Sequence, residues 1–166
     1  LPFSLTQSQH KVIAEISADL ARDFPMYRLL QGDVGSGKTI VAAMAALQAI
    51  ESGVQVAIMA PTEILAQQHF QKIQSWVEPL GIGICWLTGS ISARARKTSL
   101  EHIRSGQARL IIGTQALIQE TVEFENLGLV IVDEQHRFGV GQRLSLSRKG
   151  EPGSQEWVPH QLTMSA

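Results

Sequence analysis

Two short stretches of this sequence could do chemistry together. The first is Gly32-Asp33-Val34-Gly35-Ser36-Gly37-Lys38-Thr39, a glycine-rich turn ending in a cation and a hydroxyl. Gly32, Gly35 and Gly37 let the backbone curl tightly, so that its amides, those of Asp33, Val34 and Ser36 among them, point at phosphate oxygens. Lys38 can reach the β- and γ-phosphates of a nucleotide, and the Thr39 hydroxyl can ligate Mg2+. The second stretch is Asp133-Glu134, two carboxylates delivered at the end of the apolar run Leu127-Gly128-Leu129-Val130-Ile131-Val132. By themselves such pairs are most often solvated strand ends. Downstream of a phosphate loop they read differently: Asp133 holds Mg2+ through water, since that ion keeps much of its hydration shell, and Glu134 orients and deprotonates an attacking water. A divalent cation against Asp133 relieves the repulsion between the two charges.

These groups must be positioned by the elements around them. Val12, Ile13, Ile16 and Leu20 share one helical face behind Thr6, an N-cap, so residues 7–22 read as a helix. Met26–Gln31 is a short strand feeding the glycine turn, and Lys38–Glu51 is a helix apolar nearly all round, hence buried. Val54–Ala60 is an apolar strand ended by Pro61, and the steps of Ala66, Phe70, Ile73, Val77 and Leu80 mark a helix over 63–78. Strand Ile82–Leu87, helix Ala93–Arg104, and strands Leu110–Ile112 and Leu127–Val132 follow, then a helix over 139–148, a loop Gly150–Glu156 and a last strand over 161–165. Solid apolar strands alternating with helices imply an α/β fold, a parallel sheet covered on both faces. Ligands of such sheets bind at the carboxyl ends of the strands, where both chemical stretches fall.

Composition narrows the function. One domain of 166 residues can bury a proper core, and a net charge of −1 excludes a wholly electrostatic nucleic-acid binder. It leaves room for a protein that grips phosphates with backbone amides and hydroxyls. The single Cys85, inside Ile84-Cys85-Trp86-Leu87, reads as a buried small hydrophobe and suits a reducing cytoplasm. The longest apolar stretch, Ile40 to Ile50, is too short for a membrane span. Without an initiator Met, and stopping in what reads as a strand, the chain has the look of a piece of something longer.

Asp133-Glu134-Gln135-His136 resembles the corresponding box of superfamily 2 helicases, and its continuation Arg137-Phe138-Gly139-Val140 resembles the RecG branch-migration helicases. The transcription-repair coupling translocases come next. Other segments agree in order: Leu5-Thr6-Gln7-Ser8-Gln9 resembles the leading glutamine motif, and Ala60-Pro61-Thr62-Glu63-Ile64-Leu65-Ala66 resembles motif Ia, with Glu63 where RNA-unwinding relatives usually carry Arg. Thr88-Gly89 and Gly113-Thr114-Gln115-Ala116-Leu117 resemble DNA-contacting motifs near Ib, and Thr163-Met164-Ser165-Ala166 resembles motif III, cut before its final Thr.

The resemblance implies a RecA-like P-loop NTPase domain of three α/β/α layers with a mainly parallel sheet. Residues 1–166 would be the ATP-binding first lobe of a DNA helicase, without the wedge domain and second lobe. Gln9 would read the adenine edge, with Phe3 packing on the base. Thr62, Thr88, Gly89, Gly113 and Thr114 would hold the DNA backbone. Gln135, His136 and Arg137 would couple nucleotide state to Ser165, on a strand lying between the phosphate-loop and Asp-Glu strands. ATP and Mg2+ are the implied cofactors. Branched double-stranded DNA is the implied partner of a cytoplasmic monomer, with a single-stranded-DNA-binding protein as a further one, and there is no membrane role. The rival within the class is a double-stranded-DNA translocase of the coupling type, against which Gln135 and Phe3-Ser4-Leu5-Thr6 speak. The rival outside it, a nucleotide switch that does not move on DNA, would need neither motif Ia nor the Gly-Thr motif.

Some features earn no role at this stage. The five histidines, at 10, 69, 102, 136 and 160, show no metal-ligand spacing, and only His136 is given a function. Arg94, Arg96, Lys97 and Arg104 make one helix basic, either as a solvated face or as one turned to phosphate. Trp76, Trp86 and Trp157 read as core or interface residues.

Overall fold

The computed structural model describes residues 5–21, 27–31, 37–118, 122–133 and 159–165. The expected helix over 139–148, the loop Gly150–Glu156 and Trp157 lie outside them. Helix α1 (Gln7–Leu20) leads to β1 (Tyr27–Gln31), α2 (Lys38–Glu51), β2 (Gln55–Met59), α3 (Glu63–Val77), β3 (Ile84–Leu87), α4 (Ala93–Ser105), β4 (Leu110–Gly113), β5 (Leu127–Asp133) and β6 (His160–Ser165). Two short 3-10 turns, Glu78–Leu80 and Gln115–Ile118, were not expected, since three or four residues carry no readable period.

Every strand pair is parallel, in the order β1-β6-β5-β2-β4-β3. The period-two alternation of strand side chains splits the core in two. Val56, Ile58, Leu129, Ile131 and Leu162 pack with Ile16 of α1, the alanines of α2, and Ile73 and Val77 of α3. Ala57, Met59, Cys85, Leu87, Val130 and Val132 face the other way, against Ile103 of α4, Leu117 and Phe124. The result is the expected three-layer α/β/α arrangement. Cys85 lies in the second layer, 6% exposed, and burial pushes its thiol pKa up. Trp86 packs on the first core and meets Phe70 edge-on, with ring centroids 5.3 Å apart. Among the described residues, no helix is long and apolar enough to cross a membrane.

Local contacts set the helices that approach the strand ends. Thr6 caps α1 by accepting from the Gln9 amide at 3.1 Å, while Gln9 Oε1 accepts from the Thr6 amide at 2.9 Å, a reciprocal box. Arg28 on β1 donates through Nε and Nη2 to Asp19 Oδ2, at 2.9 and 2.7 Å, and through Nη1 to Glu15, tying α1 to the strand that leads into the phosphate loop. The Asp19 carboxylate, foremost by its hydrogen bonds, raises the Arg28 pKa further. Thr62 and Ser92 cap α3 and α4 by accepting from the Leu65 and Ala95 amides.

Gln55, fully buried, supplies the polar pin of the sheet. Its Nε2 donates to the Ile103 and Ala108 carbonyls, at 2.9 and 2.8 Å, and its Oε1 accepts from the Asn126 amide at 2.9 Å. One side chain thereby joins the end of α4 to the approaches of β4 and β5. Replacing it by an apolar residue would take this partner from the Ala108 carbonyl and the Asn126 amide, each costing about 1–3 kcal/mol when buried unpaired, while the Ile103 carbonyl keeps the Gly106 amide. Gln55→Leu is therefore expected to lower unfolding stability by about 2 kcal/mol or more, read as a drop in urea midpoint at unchanged slope.

Candidate nucleotide and nucleic-acid site

Because the sheet is wholly parallel, the carboxyl ends of its strands form one rim. β6 pairs with β1 on one side and β5 on the other, so Gln31 sits level with Ser165, and Asp133 with Met164. Two strand spacings, about 10 Å, separate the strand feeding the phosphate loop from the strand carrying Asp133. The end of β1, which leads toward Lys38, and the Asp133 carboxylate thus share one edge of the sheet, with β6 between their strands, as expected.

Lys38 and Thr39 open α2, whose N-cap is Gly37 at φ 86°. That left-handed conformation is one that L side chains rarely adopt. A methyl group built on Gly37 would also overlap Gln9 Nε2. Gln9 therefore lies against the end of the phosphate loop, its carbonyl held by Thr6 and its amide group turned toward Gly37. Gly32, Asp33, Val34, Gly35 and Ser36 lie outside the described residues, as do Phe3, Glu134, Gln135, His136 and Arg137. Ser165 is described only through its backbone. The Thr39 hydroxyl and the Asp133 carboxylate are hard oxygen donors of the kind Mg2+ takes.

The histidine assignment needs correcting. His69, given no role from sequence, places Nε2 at 2.7 Å from Asp133 Oδ2, with both side chains largely buried. A readable signal existed. His69 stands three residues after Ala66 and four before Ile73 on the buried stripe of α3, making it a polar residue facing the core. Strand parity puts Asp133 on the face of Leu129 and Ile131, the layer α3 covers.

The other half of the rim collects the residues expected to meet DNA. Thr62 follows β2, Gly113 ends β4 with Thr114 next, and Thr88 and Gly89 follow β3, on three adjacent strands. Two bonds sew the turns together: the Ser90 amide donates to Glu63 Oε1 at 3.1 Å, and the Thr114 amide to the Leu87 carbonyl at 3.3 Å. Thr62 is exposed, and its hydroxyl, already accepting from Leu65, keeps its own proton to donate. Gly89 is exposed and Thr114 partly so.

Two of the expected contacts are corrected. Thr88 is 1% exposed and its hydroxyl lies against Ser90 Oγ, so its side chain shapes the turn and is closed to a ligand. Gly113 is buried where β4 passes β3, and a Cβ there would overlap the Leu87 carbonyl oxygen. It allows close strand approach. On α4, Arg94, Lys97 and Arg104 are exposed.

The DEAD/DEAH box helicase model matches residues 6–153. The chain belongs to the DEAD/DEAH box helicase family. Along its whole length it is similar to the ATP-dependent DNA helicase RecG of Haemophilus influenzae, at 55% identity, and of Escherichia coli strain K12, at 57%, covering 24% of each. It thus spans about a quarter of the length of these curated relatives. A solved structure of RecG bound to a three-way DNA junction matches all of the chain and 21% of that protein, with TM-score 0.85 and 44% identity. The DEAD-box helicase Mss116 bound to ssRNA and UDP-BeF, 20% identical, matches 97% of the chain and 35% of its own length at TM-score 0.72, a likeness of fold alone. The resemblance to RecG helicases read from the motifs is borne out.

For a DEAD/DEAH box helicase, Gly37 is the described position where backbone strain bears most directly on nucleotide. An L residue in the left-handed region costs about 1–2 kcal/mol. If that strain is relieved by moving the loop, about tenfold in affinity is lost. Gly37→Ala is expected to weaken binding of a fluorescent ADP by about that factor. Gly53→Ala, equally left-handed but in open space at the far end of α2, should leave binding unchanged.

Proposed function

We propose that this chain is the first ATPase lobe of a DNA helicase motor that drives branch migration of forked and junction DNA. What supports the reading is the shared rim: Lys38 and Thr39 beside Asp133 on the β1-β6-β5 half, and Thr62, Gly89 and Thr114 on the β2-β4-β3 half. RecG helicases are the relatives it resembles throughout, and one of them is known bound to a three-way DNA junction.

On this reading the phosphate-loop amides and Lys38 bind the β- and γ-phosphates of ATP, and Gln9 addresses the adenine. Thr39 and Asp133 would hold Mg2+, whose charge offsets that of the phosphate oxygens. Glu134 accepts a proton from the water that attacks the γ-phosphorus, and ADP leaves. Gln135, His136 and Arg137 pass the change to Ser165. Thr62, Gly89 and Thr114 take the sugar–phosphate backbone, contacts that carry no base sequence and so suit a protein that must keep moving. Charge on the transferring phosphoryl group also needs arginines from a second lobe, worth about 10³–10⁵ in rate. The same reading has the protein act as a monomer in the bacterial cytoplasm, with a single-stranded-DNA-binding protein as companion.

Glu134→Gln in the full-length protein is expected to abolish ATP hydrolysis and unwinding of a synthetic three-way junction while leaving nucleotide binding intact. Normal turnover by that variant would remove Glu134 as the base. Residues 1–166 alone should hydrolyse ATP at least about 10³-fold more slowly than the full-length protein, with or without DNA. Robust DNA-stimulated turnover by the isolated lobe would contradict the division of labour.

A further inference from the structure

None of the sequence motifs quoted above assigns His69, yet its side chain hydrogen-bonds that of Asp133. A carboxylate has no hydrogen to give, so the imidazole Nε2 carries the proton and donates it to Oδ2. The side chains of His69 and Asp133 are 12% and 15% exposed, so little water competes for the bond. His69 is carried by the buried stripe of α3, between Ala66 and Ile73, and the backbone beneath it is held by core packing. Asp133 stands at the carboxyl end of β5, level with Met164 of β6. With Oδ2 taken, Oδ1 and the unused lone pairs remain for metal-bound water.

We propose that His69 is a positioning residue for the divalent cation of the nucleotide site: by donating to Oδ2 it fixes the rotamer of Asp133 and aims Oδ1 at the cation's hydration shell. The proposal rests on the reading of Asp133 as the metal carboxylate. Partners that orient a ligating carboxylate this way change metal affinity about 10–100-fold when removed. His69 acts through Asp133, so its removal is expected to change the metal-dependent part of binding alone.

The test uses the full-length protein and equilibrium binding of a fluorescent ADP, titrated with Mg2+ and repeated in excess chelator. His69→Phe, which keeps the ring volume and deletes the donor, is expected to raise the Mg2+ concentration for half-maximal binding at least about tenfold. Binding in chelator should stay at the wild-type value. His69→Gln, whose amide can donate from a similar place, should restore the Mg2+ midpoint to within about threefold of wild type. Melting transitions are recorded for all variants, and if the phenylalanine variant does not fold, His69→Ala takes its place with the same expectation. A wild-type Mg2+ midpoint in the donor-less variant overturns the proposal. So does equal weakening with and without Mg2+, which would mark a merely structural histidine, or failure of glutamine to rescue. Asp133→Asn separates the two layers: if it leaves the Mg2+ dependence untouched, the metal-carboxylate reading itself falls, whereas an Asp133 effect without a His69 effect sinks only the positioning role.

Discussion

β6 is hydrogen-bonded to β1 along one edge and to β5 along the other, and it is β1's only partner strand among the described residues. The nucleotide site depends on that insertion. Without it, the strand that feeds Lys38 and the strand that ends in Asp133 would have no common register. Tyr27 pairs with Gln161, almost the full length of the chain away. Closing such a contact costs loop entropy before any ladder bond offsets it, so this pairing belongs to the slow part of folding. α1 shares the burden, because the Arg28 fork to Asp19 and Glu15 fastens β1 to a helix formed locally. The same helix then presents Gln9 to Gly37.

On the proposed reading the β5–β2 seam divides the rim by task, phosphate chemistry on one side and the DNA track on the other. α3 crosses the division. Its cap Thr62 and first residue Glu63 lie on the proposed track side, Glu63 holding the Ser90 amide, and six residues further on His69 reaches Asp133. Six residues of helix span about 9 Å. One rigid rod, packed through Ala66, Ile73 and Val77, therefore touches both halves. A shift of the 88–90 turn and a shift of the Asp133 carboxylate load the same backbone.

Much of this was legible in sequence, for physical reasons. α2 was bounded at Lys38 and Glu51 because a phosphate loop must end where a helix begins and an apolar helix must stop before Ser52-Gly53. The strands were visible as unbroken apolar runs, which only a two-sided burial requires. What escaped was whatever depends on which side chain meets which across the sheet. His69 looked like a lone histidine until α3 was laid over β5. Thr88 and Gly113 looked like track residues because small polar residues and glycines at strand ends serve both surface contact and tight packing, and composition cannot separate the two. Gln55 went unremarked inside the apolar run Val54–Ala60. Its three backbone partners come from segments distant in sequence.

The modest charge of the chain also finds its explanation in topology. In a parallel sheet every helix that follows a strand begins at the carboxyl rim, so Lys38, Glu63 and Ala93 all open helices there, and α1 brings its own N-terminus to Gly37. Each helix start carries unpaired amides and about half a positive charge. These helices run 14, 14, 15 and 13 residues, long enough to develop that dipole. A protein with a net charge of −1 thereby gathers helix N-termini along the rim that also carries the Glu63 and Asp133 carboxylates. Backbone positive charge does not depend on side-chain rotamers and is aimed in one direction by the fold. On the proposed reading it favours phosphate where the chemistry and the track would lie, without the indiscriminate grip that a lysine-rich protein would have on any polyanion.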